Sequence, residues 1–175
     1  GGHPGYYLSN SHGYINIIDA GLGRTRWLDS IGEPLDLITH EIGHIVEGTS
    51  YNTLNSPAFP IWGDSKWMEI YQYDVYKALG WSDKAQSWHN RMLLTNDNFP
   101  KTGTYWYRDW FYPIYEQYGE ANVLNNFFKL LSQNFPTTSI PNGRKYTRDL
   151  NFGEFIHFWS GAAGKDLSDL ALRAF

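Results

Sequence analysis

The chain contains no cysteine among its 175 residues. Disulfide bonds and thiolate metal ligands are therefore excluded, which leaves histidine, aspartate and glutamate as the strong ligands for a transition metal. Charged residues make up only 18% of the chain and the net charge is −4, without a long basic run, so the charge pattern does not support a nucleic-acid partner. No apolar run approaches the roughly 18 residues that span a bilayer, and we expect no membrane segment.

Aromatic residues are abundant by contrast, at 18% of the chain, within a hydrophobic total of 42%. This composition excludes a disordered chain and predicts one compact domain over residues 1–175 that acts as a monomer. Because the chain opens Gly1-Gly2 without an initiating methionine, we expect a piece of a longer precursor. The low lysine content and the lack of cysteine favour a secreted, extracellular protein.

The most informative motif is His40-Glu41-Ile42-Gly43-His44. Two histidines four residues apart on a helix lie about 40° apart around its axis, so both imidazoles can reach one metal ion. The glutamate between them can take a proton from a water on that metal. The motif is the H-E-x-x-H signature of zinc hydrolases, and it predicts a Zn2+ site with His40 and His44 as ligands and Glu41 as general base.

The surrounding pattern predicts that this motif lies on a helix over residues 34–47, with Leu35, Ile38, Ile42 and Ile45 along a buried stripe. A strand is predicted at Tyr14–Asp19 and a second, short one at Arg24–Leu28. After a loop at 49–63, further helices are predicted over 65–79, 82–94, 108–118, 120–133, 152–161 and 166–174, with 134–151 irregular. The fold class is therefore α+β and predominantly helical: an N-terminal lobe (1–48) with strands and the active-site helix, then a helical C-terminal lobe (49–175).

A catalytic zinc usually has a third protein ligand, and Glu69 is the best candidate for it. It lies one turn into the next predicted helix, among large apolar residues where a carboxylate needs a strong partner to remain charged. Asp64 and Asp74 are reserves: Asp64 is expected to cap that helix, and Asp74 to accept a hydrogen bond from a ligand histidine. Glu47 is expected to be a polar residue at the helix end, since it lies about 10 Å along the axis from His40.

A His-Glu-x-x-His helix followed by a glutamate on a second helix resembles the gluzincin metallopeptidases. The stretch 67–80 is similar to the basic secretory proteins, and 153–167 resembles segments of enhancin-like secreted peptidases. The metzincin and aspzincin patterns fit less well, since Ser50, Asn52 and Asn55 stand where those families need a further ligand. The gluzincin resemblance implies a zincin-like fold and hydrolysis of peptide bonds in a polypeptide substrate.

The resemblance also implies a side chain that stabilises the tetrahedral oxyanion, often a histidine or tyrosine in gluzincins. His157 is the leading candidate, in an otherwise apolar predicted helix, and Tyr107 and Tyr112 are alternatives. The aromatic run 105–112 that holds these tyrosines is either core or a surface for stacking on sugars. In gluzincins the strand nearest the active-site helix pairs with extended substrate, a role open to Tyr14–Asp19.

Three functions fit these features. The leading one is a secreted zinc-dependent endopeptidase with a glutamate general base. A second is a zinc peptidase specialised for glycoproteins, suggested by the aromatic residues and the enhancin-like stretch. A third is a non-catalytic binding domain with a structural zinc site, which would have no need of Glu41.

Overall fold

The computed structural model describes residues 5–7, 17–19, 33–141 and 143–175. The described part is α+β and predominantly helical, which confirms the predicted fold class. In chain order it contains β1 (Gly5–Tyr7), β2 (Ile17–Asp19), α1 (Glu33–Thr49), a 3-10 turn (Ser50–Asn52), β3 (Thr53–Leu54), α2 (Phe59–Trp62), α3 (Lys66–Ala78), α4 (Ser82–Met92), a π-helical turn (Trp106–Phe111), α5 (Tyr112–Gln117), α6 (Ala121–Asn134), β4 (Thr137–Ile140), β5 (Gly143–Tyr146), α7 (Phe152–Ala163) and α8 (Ser168–Ala174). None of the described helices has the length and apolarity needed to cross a bilayer.

The strands form two small sheets. Strands β1 and β2 pair in antiparallel fashion, and β5 lies between β3, which is parallel to it, and β4, which is antiparallel. The prediction that 134–151 is irregular is wrong, because β4 and β5 form a hairpin there. Of the predicted N-terminal strands, Ile17–Asp19 is present as β2, whereas Tyr14–Asn16 and Arg24–Leu28 lie outside the described residues.

Aromatic side chains fill the core between α2, the π-helical turn, α6 and α7. Phe127 stacks on Trp159 with ring centroids 4.3 Å apart, and Trp62 stacks on Trp67 at 5.6 Å. The aromatic run 105–112 supplies four more fully buried rings: Trp106, Tyr107, Trp110 and Phe111. This run is therefore core, and those four rings do not offer a surface to sugars.

Helix α1, which carries the histidine pair, packs directly on α3. Gly43 faces α3 so closely that a Cβ at this position would collide with Met68 Sδ and lie 2.9 Å from the Tyr71 ring. The predicted stripe is only partly buried: Leu35, Ile38 and Ile45 are half-buried, and the prediction is wrong at Ile42, which is 38% exposed. Close contact between the two helices therefore depends on the glycine of the motif rather than on Ile42.

We predict that Gly43→Ala lowers the free energy of unfolding by about 1–3 kcal/mol, because the added methyl group forces α1 away from α3. Denaturant titration followed by circular dichroism measures this change. Gly153→Ala is the matched control, since its Cβ would be 3.4 Å from the nearest atom and alanine favours a helix. A Gly43→Ala protein as stable as the Gly153→Ala protein would contradict the packing assignment.

Candidate metal centre

Three side chains from two parts of the chain converge on one point. His40 Nε2 and His44 Nε2 are 3.0 Å apart across one turn of α1. Asp64, from the turn between α2 and α3, places Oδ1 3.0 Å from His44 Nε2 and Oδ2 3.7 Å from His40 Nε2. These three residues form a group whose ligand atoms all lie close enough to hold one metal ion.

The spacing of this group fits a small tetrahedral ion. Two ligands bound at about 2.0–2.1 Å to a tetrahedral zinc lie roughly 3.3–3.4 Å from each other. The two imidazole nitrogens are 3.0 Å apart, and each lies 3.0 or 3.7 Å from a different oxygen of Asp64, so all three distances are close to that value. Imidazole nitrogen and carboxylate oxygen are also the donors that zinc accepts when no thiolate is present.

A sharp turn brings Asp64 to the histidines. Short helix α2 ends at Gly63, whose φ of 65° lies in the region that glycine tolerates, and its N–H donates to the Phe59 carbonyl at 2.7 Å. The chain then re-enters α3 from Ser65, which occupies the N-cap position without a side-chain cap bond. Asp64 is therefore directed at α1, and its expected role as the cap of α3 is not observed.

Charge pairing within the group is strong. Burial alone would lower the pKa of His44, but its hydrogen bonds to Asp64 and Glu47 outweigh this and raise the pKa to about 9. Hydrogen bonds from His40 and His44 hold the pKa of the Asp64 carboxyl well below its usual range. The carboxylate thus favours a positive charge at the point between the two rings, and a metal cation supplies such a charge without protonating the histidine.

Glu47 lies next to His44 Nδ1, the ring nitrogen that does not face Asp64. It is buried, its Oε1 accepts a 2.6 Å hydrogen bond from Trp62 Nε1, and its Oε2 lies 3.5 Å from His44 Nδ1. A proton on Nδ1 directed at this carboxylate places the lone pair on Nε2, the nitrogen that faces His40 and Asp64. Glu47 is not one of the three converging side chains, but it contacts His44, which its position at the helix end did not suggest. The spacing of three residues from His44 was the available signal.

Glu41 lies on the same helix and is 8% exposed. Burial raises the pKa of its carboxyl group, although the neighbouring His40 and His44 oppose that shift. A carboxylate with a raised pKa accepts a proton more readily than an ordinary surface glutamate does. Its carboxyl group is also close enough to both histidines and to Asp64 for their charges to affect its pKa.

Glu69 does not belong to the group of converging side chains. It is buried on α3, where its Oε1 accepts a 3.0 Å hydrogen bond from Lys66 Nζ, and that ammonium also pairs with Asp97 Oδ2 at 2.9 Å. Burial raises the pKa of Glu69 to about 7 despite the lysine. The sequence argument that this carboxylate needs a partner holds, but the structure provides an ammonium group as that partner and puts Asp64 beside the histidines.

The remaining candidates have other neighbours. Asp74 accepts a 2.8 Å hydrogen bond from Tyr115 rather than one from a ligand histidine. His157 is exposed on α7 with its ring against Phe158, and α7 packs on α6 and α8. The two tyrosines named as alternatives make other bonds: Tyr107 with His89 at 2.9 Å and Tyr112 with Glu116 at 3.3 Å.

Comparison with known proteins adds no relative, since no family model, no curated protein and no solved structure matches the chain. The chemistry of the centre therefore has to be inferred from its own residues.

We predict that Glu47→Gln weakens zinc binding by roughly 10- to 100-fold, because a neutral amide no longer orients His44 through a charged acceptor. Competition with a chromogenic zinc chelator measures the dissociation constant, and circular dichroism checks the fold. Glu116→Gln, at an exposed position on α5, is the matched control. Equal zinc affinity in the two variants would contradict the claim that Glu47 orients His44 for zinc binding.

Proposed function

We propose that this chain is a zinc-dependent endopeptidase with His40, His44 and Asp64 as the metal ligands. The observation that carries the proposal is the convergence of two imidazole nitrogens and one carboxylate within 3.0–3.7 Å of one another, with Glu41 on the same helix. Zinc in such a site polarises a carbonyl group and lowers the pKa of a coordinated water towards about 7. The polypeptide substrate, the extracellular setting and the zincin-like fold expected from the sequence remain part of this proposal.

Three protein ligands leave the fourth coordination position of a tetrahedral zinc for water. Three protein ligands are typical of catalytic zinc, whereas structural zinc usually has four. Within the described residues the group contains three members, and the Asp64 side chain is 74% exposed while that of His44 is only 3% exposed. One side of the centre is therefore open to solvent and substrate, as hydrolysis requires.

Glu41 performs the proton transfers in this proposal. Its carboxylate accepts a proton from the attacking water, and the resulting carboxylic acid donates that proton to the nitrogen of the leaving amine. The raised pKa of Glu41 brings its proton affinity closer to that of the groups with which it exchanges the proton. A purely structural zinc site has no use for such a residue.

The ligand assignment predicts the metal content of three variants. His44→Ala and Asp64→Asn should lose zinc after dialysis against a weak chelator, because each removes one of three ligands. Glu69→Gln should retain about one zinc per chain, since Glu69 pairs with Lys66. Mass spectrometry of the dissolved metal gives the stoichiometry. A zinc-free Glu69→Gln protein together with a zinc-loaded Asp64→Asn protein would restore Glu69 as the ligand.

The catalytic assignment predicts a separate result for Glu41→Gln. This variant should keep its zinc yet hydrolyse unfolded casein at least about 100-fold more slowly, because it cannot accept the proton. Peptide release from casein is measured for the wild type with and without chelator, and for Glu116→Gln as the control. Hydrolysis at the wild-type rate by the zinc-loaded Glu41→Gln protein would contradict the mechanism.

A further inference from the structure

A cavity of about 230 Å³ lies beside the candidate metal centre, and His44 forms part of its wall. Its other walls come from the end of α1, the loop that leads into α2, and the segment before α7. Cavities that bind whole small molecules usually measure about 300–1,000 Å³. The size and location of this cavity therefore suit one side chain of a substrate whose backbone crosses the metal centre.

The charged groups other than histidine that line the cavity are both acidic. Glu47 is at its buried end, where Trp62 already donates to one carboxylate oxygen. Asp149 is exposed and lines the same cavity. Since His44 Nδ1 faces the other Glu47 oxygen at 3.5 Å, Asp149 is the carboxylate in the wall that favours a cationic group inside the cavity.

Asp149 is held in place but not neutralised. The N–H of Leu150 donates to the Pro57 carbonyl at 2.8 Å, which fixes this segment against the loop before α2. The adjacent Arg148 directs its guanidinium to Glu154, with hydrogen bonds of 2.7 and 2.8 Å, and donates a third, of 3.1 Å, to the backbone carbonyl of Asp149 rather than to its carboxylate. Among the described residues, no basic side chain lies within ion-pair distance of the Asp149 carboxylate.

The remaining walls suit the stem of a long basic side chain. Phe59, whose side chain is among the exposed large apolar groups, and Pro60 provide apolar surface. Lysine and arginine place their methylene groups on such surface and their charge in a polar environment. An aromatic ring beside the cation adds a further favourable contact.

We propose that this cavity receives a lysine or arginine side chain of the polypeptide substrate, with Asp149 accepting hydrogen bonds from its charged end. The inference rests on the proposed function, since it takes the metal centre to be the place where the substrate backbone binds. It names basic polypeptides as the substrate class and Asp149 as the residue that selects them.

Binding and cleavage are measured separately to test this. The zinc-loaded Glu41→Gln protein is titrated with fluorescent peptides in which one arginine is moved along a neutral sequence, and with matched peptides that carry norleucine instead. At one position arginine should bind about tenfold more tightly than norleucine. Adding Asp149→Asn should reduce that difference to about twofold or less, and Asp149→Lys should favour a glutamate peptide. Asp169→Asn, at an exposed position on α8, should leave the difference unchanged.

The same peptides are then offered to the zinc-loaded wild type. Selective arginine binding without cleavage of any peptide would support the cavity assignment and contradict the proposed hydrolase. Binding or cleavage with no preference for a basic side chain, or with a preference that survives Asp149→Asn, would overturn the cavity assignment alone. A protein that neither binds nor cleaves these peptides would contradict both.

Discussion

A buried hydrogen bond from the Trp62 indole to the Glu47 carboxylate joins the aromatic core to the histidine pair. Trp62 stacks on Trp67 and contacts Phe127 and Phe155, so its position is fixed by rings from several elements. Glu47 in turn faces His44 Nδ1. The orientation of the His44 ring is thereby linked to the packing of the aromatic core.

The two buried carboxylates of Glu47 and Glu69 have partners of different kinds. Burial raises the pKa of both Glu47 and Glu69, and in each case a different partner opposes that shift. Glu69 is paired with the Lys66 ammonium, which links it to Asp97 across the start of α3. Glu47 is paired with the neutral Trp62 indole and with His44, whose pKa is raised to about 9. A metal ion bound at His44 would replace the proton as the positive charge at that ring.

The helix of the motif was predictable, whereas the carboxylate that converges on its two histidines was not. The spacing of His40 and His44 is a local property of a helix, so sequence alone places both rings on one face. Which carboxylate reaches them depends on the turn at Gly63, whose positive φ directs Asp64 at α1. The sequence pattern favoured Glu69, which lies one helical turn into α3. The spacing of residues along the chain does not reveal in which direction the loop at Gly63 points Asp64.

The other differences have similar causes. Ile42 matched a helical apolar stripe but faces outward, since close contact with α3 is made through Gly43. The β4–β5 hairpin was missed because Pro136, Pro141 and Gly143 suggested a loop, whereas the prolines lie outside the strands and glycine only begins β5. Glu47 was underestimated because its partner Trp62 lies 15 residues away. Apart from the missed hairpin, these differences concern contacts between elements rather than the elements themselves.

The central claim is that one divalent ion binds between His40, His44 and Asp64. Diffraction data collected above and below the zinc absorption edge, from crystals grown with one equivalent of zinc, test it most directly. The account predicts a single anomalous peak about 2.0–2.2 Å from both Nε2 atoms and one Asp64 oxygen, with solvent in the fourth position. A peak bound by Glu69 instead of Asp64, a fourth protein ligand, or no peak between the histidines would contradict it.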